Sequence, residues 1–169
     1  MTTQRTKLAT KDGKRETFTG TFTRLGKKRG KSSGATILLV DIKDKRGRIV
    51  TDHLWIGYTK GLAKLNSLFE GDIIQFDARV KVYKHAKSDK KHIKGALLPE
   101  DYYEEYGLSH PTNFKLKHKV ESPKGKERQE IAWFTQRKNF QPMINKFCKW
   151  YTWYLNASPS EIERSKKDK

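Results

Sequence analysis

Three features of the 169-residue sequence predict a mainly β fold, a five-stranded OB-fold-like Greek-key barrel followed by a C-terminal aromatic helix. Five stretches carry strand periodicity, a short helix falls between the third and the fourth, and one segment alone is apolar enough for a core. Residues 17–83 hold 21 of the chain's 36 Leu, Ile, Val and Phe residues. A small SH3-like barrel competes with this reading, but it normally lacks a helix at that point.

Residues 1–14 are polar, basic and without period, and are expected as a flexible arm. The barrel is expected over 15–119, a linker over 120–131 and a helical extension over 132–169. The first strand, Thr17–Leu25, alternates Phe18 and Phe22 with threonines, and Gly20 in its middle marks a bulge or sharp bend. Gly26–Gly34 is a basic glycine-serine loop. Ala35–Lys43 is an apolar, β-branched run covered on both faces for part of its length. Asp44-Lys-Arg-Gly47 is turn chemistry, and Arg48–Tyr58 completes a hairpin. This third strand turns either Val50, Leu54 and Ile56 or Ile49 and Trp55 inward.

Thr59 caps a short helix carrying Leu62 and Leu65, which ends at Glu70-Gly-Asp72. Ile73–Tyr83 is the most regular strand, with Ile74, Phe76, Ala78, Val80 and Val82 on one face. Its other face carries Gln75, Asp77, Arg79, Lys81 and Tyr83. Lys84–Pro111 reads as a long charged connection, basic first and acidic later. Its acidic Pro99–Glu105 run is expected as a helical turn in a loop; a sharper idea is that it screens the basic groove or docks on the C-terminal unit. Thr112–Lys119, with Phe114 and Leu116 inward, is the fifth strand. Beyond the linker, Pro142 suits a first helical turn and Phe140, Ile144, Phe147 and Tyr151 form a helical stripe. Ser158-Pro-Ser-Glu161 is a capping box opening a short terminal helix.

Charge narrows the partners. Thirty-seven Lys and Arg against 19 Asp and Glu leave a net charge of +18, which points to a polyanion, nucleic acid before acidic membrane. One cysteine, Cys148, excludes an internal disulfide framework and a multi-cysteine zinc site. No stretch reaches the ~18 apolar residues of a membrane span, and the first residues lack a signal-like apolar run. A cytoplasmic protein without a membrane partner is expected.

An OB barrel binds oligonucleotides across its second and third strands and the loops joining strands one to two and four to five. Here those loops are the most basic parts: Lys27, Lys28, Arg29 and Lys31 in one, Lys84, Lys87, Lys90, Lys91 and Lys94 in the other. Such cations neutralise phosphates without reading sequence. Trp55, Tyr83 and Phe22 are the candidates for stacking bases, and Arg79 and Lys81 lie on the polar face of the fourth strand. The bland alternatives are a solvated pair of loops and a core role for Phe22 and Trp55. Residues 130–155 hold eight of the nineteen aromatics. Trp150 and Trp153 fall off the helical stripe, beside Lys146 and Lys149, and form the expected partner-binding surface unless a small domain buries them.

An enzyme is not expected. Asp41, Asp52, Asp72 and Asp77 lie on or beside strands, where a carboxylate cluster would make a metal-dependent nuclease on an OB barrel. No stretch matches nuclease motifs. His53, His85, His92, His110 and His118 show no metal-ligand spacing, and no cofactor is implied.

The stretch Val50-Thr-Asp-His-Leu-Trp-Ile-Gly-Tyr-Thr-Lys-Gly61, followed by Glu70-Gly-Asp-Ile-Ile-Gln-Phe-Asp-Ala-Arg-Val80, resembles small uncharacterised OB-fold-like proteins of Firmicutes phages and mobile genetic elements. The resemblance covers about residues 17–118. It implies a setting in which such proteins manage single strands or interfere with host nucleoprotein machinery. The expectation is therefore a non-enzymatic protein that binds single-stranded DNA or RNA over the barrel. The competing reading is an interaction protein that inhibits a host nucleoprotein complex such as an RNA-guided nuclease. It would set the basic face on nucleic acid and Trp150 and Trp153 on protein.

Overall fold

A computed structural model describes residues 5–27, 35–87, 101–123, 126–127, 149–154 and 156–167. The alternation of Phe18 and Phe22 with threonines does form a strand, and the sheet is built on it. Strand β1 (Arg15–Lys27) pairs with β4 (Ile73–Ala86) through residues 15–21 and with β2 (Ala35–Asp44) through residues 18–27. Where the two ladders overlap, the register shifts between Thr19 and Thr21. Gly20 occupies that bend because a β-carbon there would stand 2.7 Å from Ile42 Cδ1. Strand β3 (Ile49–Gly57) adds to β2, and β5 (Tyr102–His118) adds to β4. The order is β3-β2-β1-β4-β5, antiparallel throughout.

The expected OB-fold-like barrel is not formed. No ladder joins β3 to β5 among the described residues, so the five-stranded sheet stays open. A guanidinium stands in the seam instead. Arg5 donates from Nη1 to the Tyr106 carbonyl of β5 (3.1 Å) and from Nη2 to the His53 carbonyl of β3 (3.3 Å). Lys7 Nζ donates to the Ile49 carbonyl (3.0 Å). Carbonyls on both edge strands are thus engaged by side chains rather than by a neighbouring strand.

These cations belong to a segment expected as part of a flexible arm. Residues Thr6–Ala9 form α1, and Leu8 is fully buried in the core. Gly13 N–H donates to the Val80 carbonyl and Val80 N–H to the Lys14 carbonyl, so the chain is tied to β4 before β1 begins.

The pleat of the sheet turns Phe18, Phe22, Ile37, Leu39, Leu54, Ile56, Ile74 and Phe76 inward. Leu62 of α2 (Lys60–Ala63), with Leu68 and Phe69 after it, covers this face, joined by Tyr151, Tyr154 and Ile162 in one continuous core. Helix α2 starts as expected, with Thr59 Oγ1 accepting from Leu62 N–H. Asp72, wholly buried, accepts from the N–H groups of Phe69 (2.8 Å) and Val120 (3.0 Å). It thereby ties the end of the helical segment to the chain leaving β5.

The described residues of the connection expected over Lys84–Pro111 are mostly strand. Strand β4 runs on to Ala86 and β5 starts at Tyr102, so the two form a protruding ribbon. Tyr102–Glu105 lie in β5 and are not a helical turn. Cross-strand chemistry explains this: Lys84 stands opposite Glu104 and His85 opposite Tyr103, with stacked rings. Further along β5, His110 (φ 49°) and Asn113 (φ 54°) are left-handed around Pro111, which shifts the register against β4. That irregularity hides the strand from a search for alternation.

At the C-terminal end, residues 149–154 are helical, and α3 (Pro159–Lys167) follows. The capping box is present: Ser158 N–H donates to Glu161 Oε2 (2.7 Å), and Glu161 N–H to Ser158 Oγ (3.4 Å). No helix among the described residues is long and apolar enough to cross a membrane.

Candidate functional site

The pleat places Arg79, Lys81, Tyr83 and His85 on one face of β4, opposite Ser109, Gly107, Glu105 and Tyr103 of β5. All four β4 side chains are exposed. A β-carbon at Gly107 would meet Tyr83 Cε2 at 3.0 Å, so the missing side chain lets the tyrosine ring lie across the neighbouring strand. The Lys81 ammonium stands 5.9 Å from that ring's centroid. One step toward the tip, the His85 and Tyr103 rings stack with centroids 5.5 Å apart. Glu105, the one acid among these eight residues, is neutralised: it lies 3.5 Å from His85 Nε2 and 3.6 Å from Arg5 Nη1. Among the described residues, neither Arg79 nor Lys81 ion-pairs with a carboxylate.

The base of the ribbon is braced by polar contacts. Asp77 accepts from Thr17 Oγ1 (2.6 Å) and Asn113 Nδ2 (2.7 Å). Those two bonds hold its carboxyl below the usual carboxylate range against some desolvation, with the charges of Arg15 and Lys115 helping. Arg15 in turn donates to the carbonyls of Asp77 and His110 and to Thr112 Oγ1.

Trp55 does not join this face. Leu54 and Ile56 point inward, which turns Trp55 outward at 43% exposure. Its ring crosses β2 to reach Gly26, where a β-carbon would fall 2.4 Å from Cζ3, and the Arg24 guanidinium sits 5.0 Å from its centroid. Gly26 lies toward the end of β1 remote from β4, so Trp55 and Tyr83 stand at opposite ends of the sheet. The strand ends from which the two basic loops leave are likewise at opposite ends of β1. The expected single groove over a barrel, with single-stranded DNA or RNA between those loops, is therefore overturned.

The other expected residues separate similarly. Phe22 is fully buried and is core, not a stacking surface. Lys27 is the last residue of β1, and Lys84 and Lys87 are exposed on the ribbon. Lys28, Arg29, Lys31, Lys90, Lys91, Lys94 and Lys146 lie outside the described residues. Trp150 and Trp153 are exposed (39% and 38%) beside exposed Lys149, while Tyr151 and Tyr154 are buried. Trp150 stacks on Tyr154 at 5.3 Å, and the Tyr154 hydroxyl is held by both backbone groups of Glu127.

The nuclease alternative loses its carboxylate cluster. Asp72 is buried on backbone amides, Asp77 braces the outer face, Asp41 is exposed, and Asp52 is engaged by the His53 side chain and backbone. No group of three His, Cys, Asp or Glu side chains among the described residues could hold a metal ion.

Sequence reasoning missed His85, Tyr103, Gly107 and Arg24. The first three are legible only once Tyr103 and Gly107 are read as strand. Arg24 is legible only once β1 and β3 are known to flank β2. Compared with protein-family models, curated proteins and solved structures, the chain matches none of them.

Proposed function

We propose that the chain is a non-enzymatic binding protein for nucleic acid that engages its partner on the outward face of the β4–β5 ribbon, with no barrel groove involved. The observation that carries this reading is the row of Arg79, Lys81 and Tyr83, in which two cations without a carboxylate partner among the described residues stand beside a solvent-exposed ring. Cations of this kind release counterions from a phosphate backbone, and an exposed ring offers a base ~1–3 kcal/mol of stacking. The net charge of +18 supports the same class of partner.

The test is a salt-titrated binding assay of the full chain with labelled single-stranded DNA, RNA and duplex DNA. The double charge reversal Arg79→Glu, Lys81→Glu is expected to weaken binding for all base sequences about equally. It should also flatten the salt dependence by about one counterion for each phosphate that the variant no longer neutralises. Wild-type protein that binds none of the three near physiological salt would overturn the proposal. Exposure of Trp150 and Trp153 beside Lys149 favours a second reading, a protein partner. A complex made that way would keep a fixed stoichiometry at high salt.

A further inference from the structure

We infer that the ribbon face takes an unpaired strand and seats two successive bases, one on Tyr83 and the next on the His85–Tyr103 pair; this rests on the nucleic-acid reading above. Tyr83 and His85 share one face of β4 two residues apart, about 6.6 Å along the strand, and the Tyr83 ring leans over Gly107, away from His85. Successive nucleotides of one strand in a duplex rise only about 3.4 Å. Neighbouring bases of a duplex therefore cannot reach both platforms. An extended single strand with unstacked bases can, and base-on-aromatic stacking replaces the base-on-base stacking given up.

Both platforms are held before any ligand arrives. The Tyr83 ring lies over the bare backbone of Gly107, and the residue is 38% exposed. His85 is the exposed member of its pair, backed by half-buried Tyr103 and positioned by Glu105 at 3.5 Å. Lys81 flanks the first platform and Arg79 continues the row, where the phosphates of an extended strand would run.

The experiment uses the full chain with oligo(dT) of two to ten nucleotides and a twenty-base-pair duplex at one fixed salt concentration. Wild type is expected to prefer the single strand. Tyr83→Leu and His85→Ala, both at exposed positions, are each expected to lower single-strand affinity roughly tenfold. Both should lower single-strand affinity more than duplex affinity. Gly107→Val, which keeps Tyr83 but displaces its ring, is expected to reproduce the Tyr83→Leu loss. If wild type binds no nucleic acid, the broader reading fails and this inference with it. If wild type binds single strand and duplex alike, or if Tyr83→Leu and His85→Ala weaken neither or both equally, the nucleic-acid reading stands and this inference is overturned.

Discussion

Asp44 offers the sharpest measurement of what holds the sheet. Its side chain is buried in the β2–β3 turn, where Oδ1 accepts from the backbone N–H groups of Arg46 (2.9 Å) and Arg48 (3.1 Å). Oδ2 accepts from Arg48 Nε (3.1 Å) and Nη2 (2.7 Å), and Lys11 Nζ stands 3.7 Å away. Burial by itself would raise the carboxyl pKa. The Arg48 guanidinium, the two backbone donors and the Arg48 charge outweigh it, and hold the group at about 2 against an ordinary 3.8. At ~1.36 kcal/mol per pKa unit, ionised Asp44 contributes about 2 kcal/mol of stability at neutral pH. Because the folded-state pKa is depressed, that contribution is complete above pH ~4 and is lost as the pH falls through about 2. Urea unfolding of wild type and Asp44→Asn at pH 7, 5, 3 and 2 reads it out directly, since every other carboxylate is common to both proteins. The gap between the two is expected to stay constant from pH 7 to about 4, then narrow by about 2 kcal/mol toward pH 2. A gap unchanged at pH 2 would refute the assignment. Salt should trim only the Arg48 part, because that side chain is 62% exposed while the backbone donors are fixed.

Three further outcomes follow from particular side chains. Leu8→Ala should cost about 2–5 kcal/mol in urea unfolding, since the side chain is fully buried; a cost near zero would return residues 5–14 to a flexible arm. Asp72→Ala should leave the Phe69 and Val120 amides without their carboxylate acceptor, at about 1–3 kcal/mol for each. Hydrogen exchange should show both amides losing protection together. Gly26→Val should push the Trp55 ring off β1 and away from Arg24, making it more accessible to iodide quenching, with Trp55→Phe as the control that identifies the signal.

Several elements were legible because their chemistry is local. Phe18 and Phe22 among threonines, Gly20 at the bend, Thr59 before Leu62, and the Ser158–Glu161 capping box each need only a few neighbouring residues to be recognised. Openness of the sheet is different in kind. Five strands with a helix between the third and the fourth are common to a closed and an open arrangement, and the distinction lies in whether β3 meets β5. Arg5, which stands between those two strands, lies in a stretch without period. Leu8 is hidden for the same reason, because one leucine among polar residues carries no pattern. The acidic run at Glu104 and Glu105 reads as loop until its partners, Lys84 and His85, are placed across from it. The candidate site suffers most from this, since half of it lies on the part of β5 that alternation does not reveal.

Arg5 also connects the open seam to the ribbon face. The guanidinium that bridges the carbonyls of His53 and Tyr106 also stands 3.6 Å from Glu105. Edge strands left unpaired invite pairing with other chains, and charged side chains directed at their carbonyls discourage it. The same charge serves a second purpose one residue away. With Arg5 on one side and His85 on the other, Glu105 adds no net negative charge beside Tyr83. The outward face therefore stays cationic around its ring although an acid lies within it. Closing the sheet by a β3–β5 ladder would have to move Arg5 off those carbonyls, and with it the guanidinium beside Glu105. Arg5 thus joins the seam between β3 and β5 to the cationic aromatic ribbon.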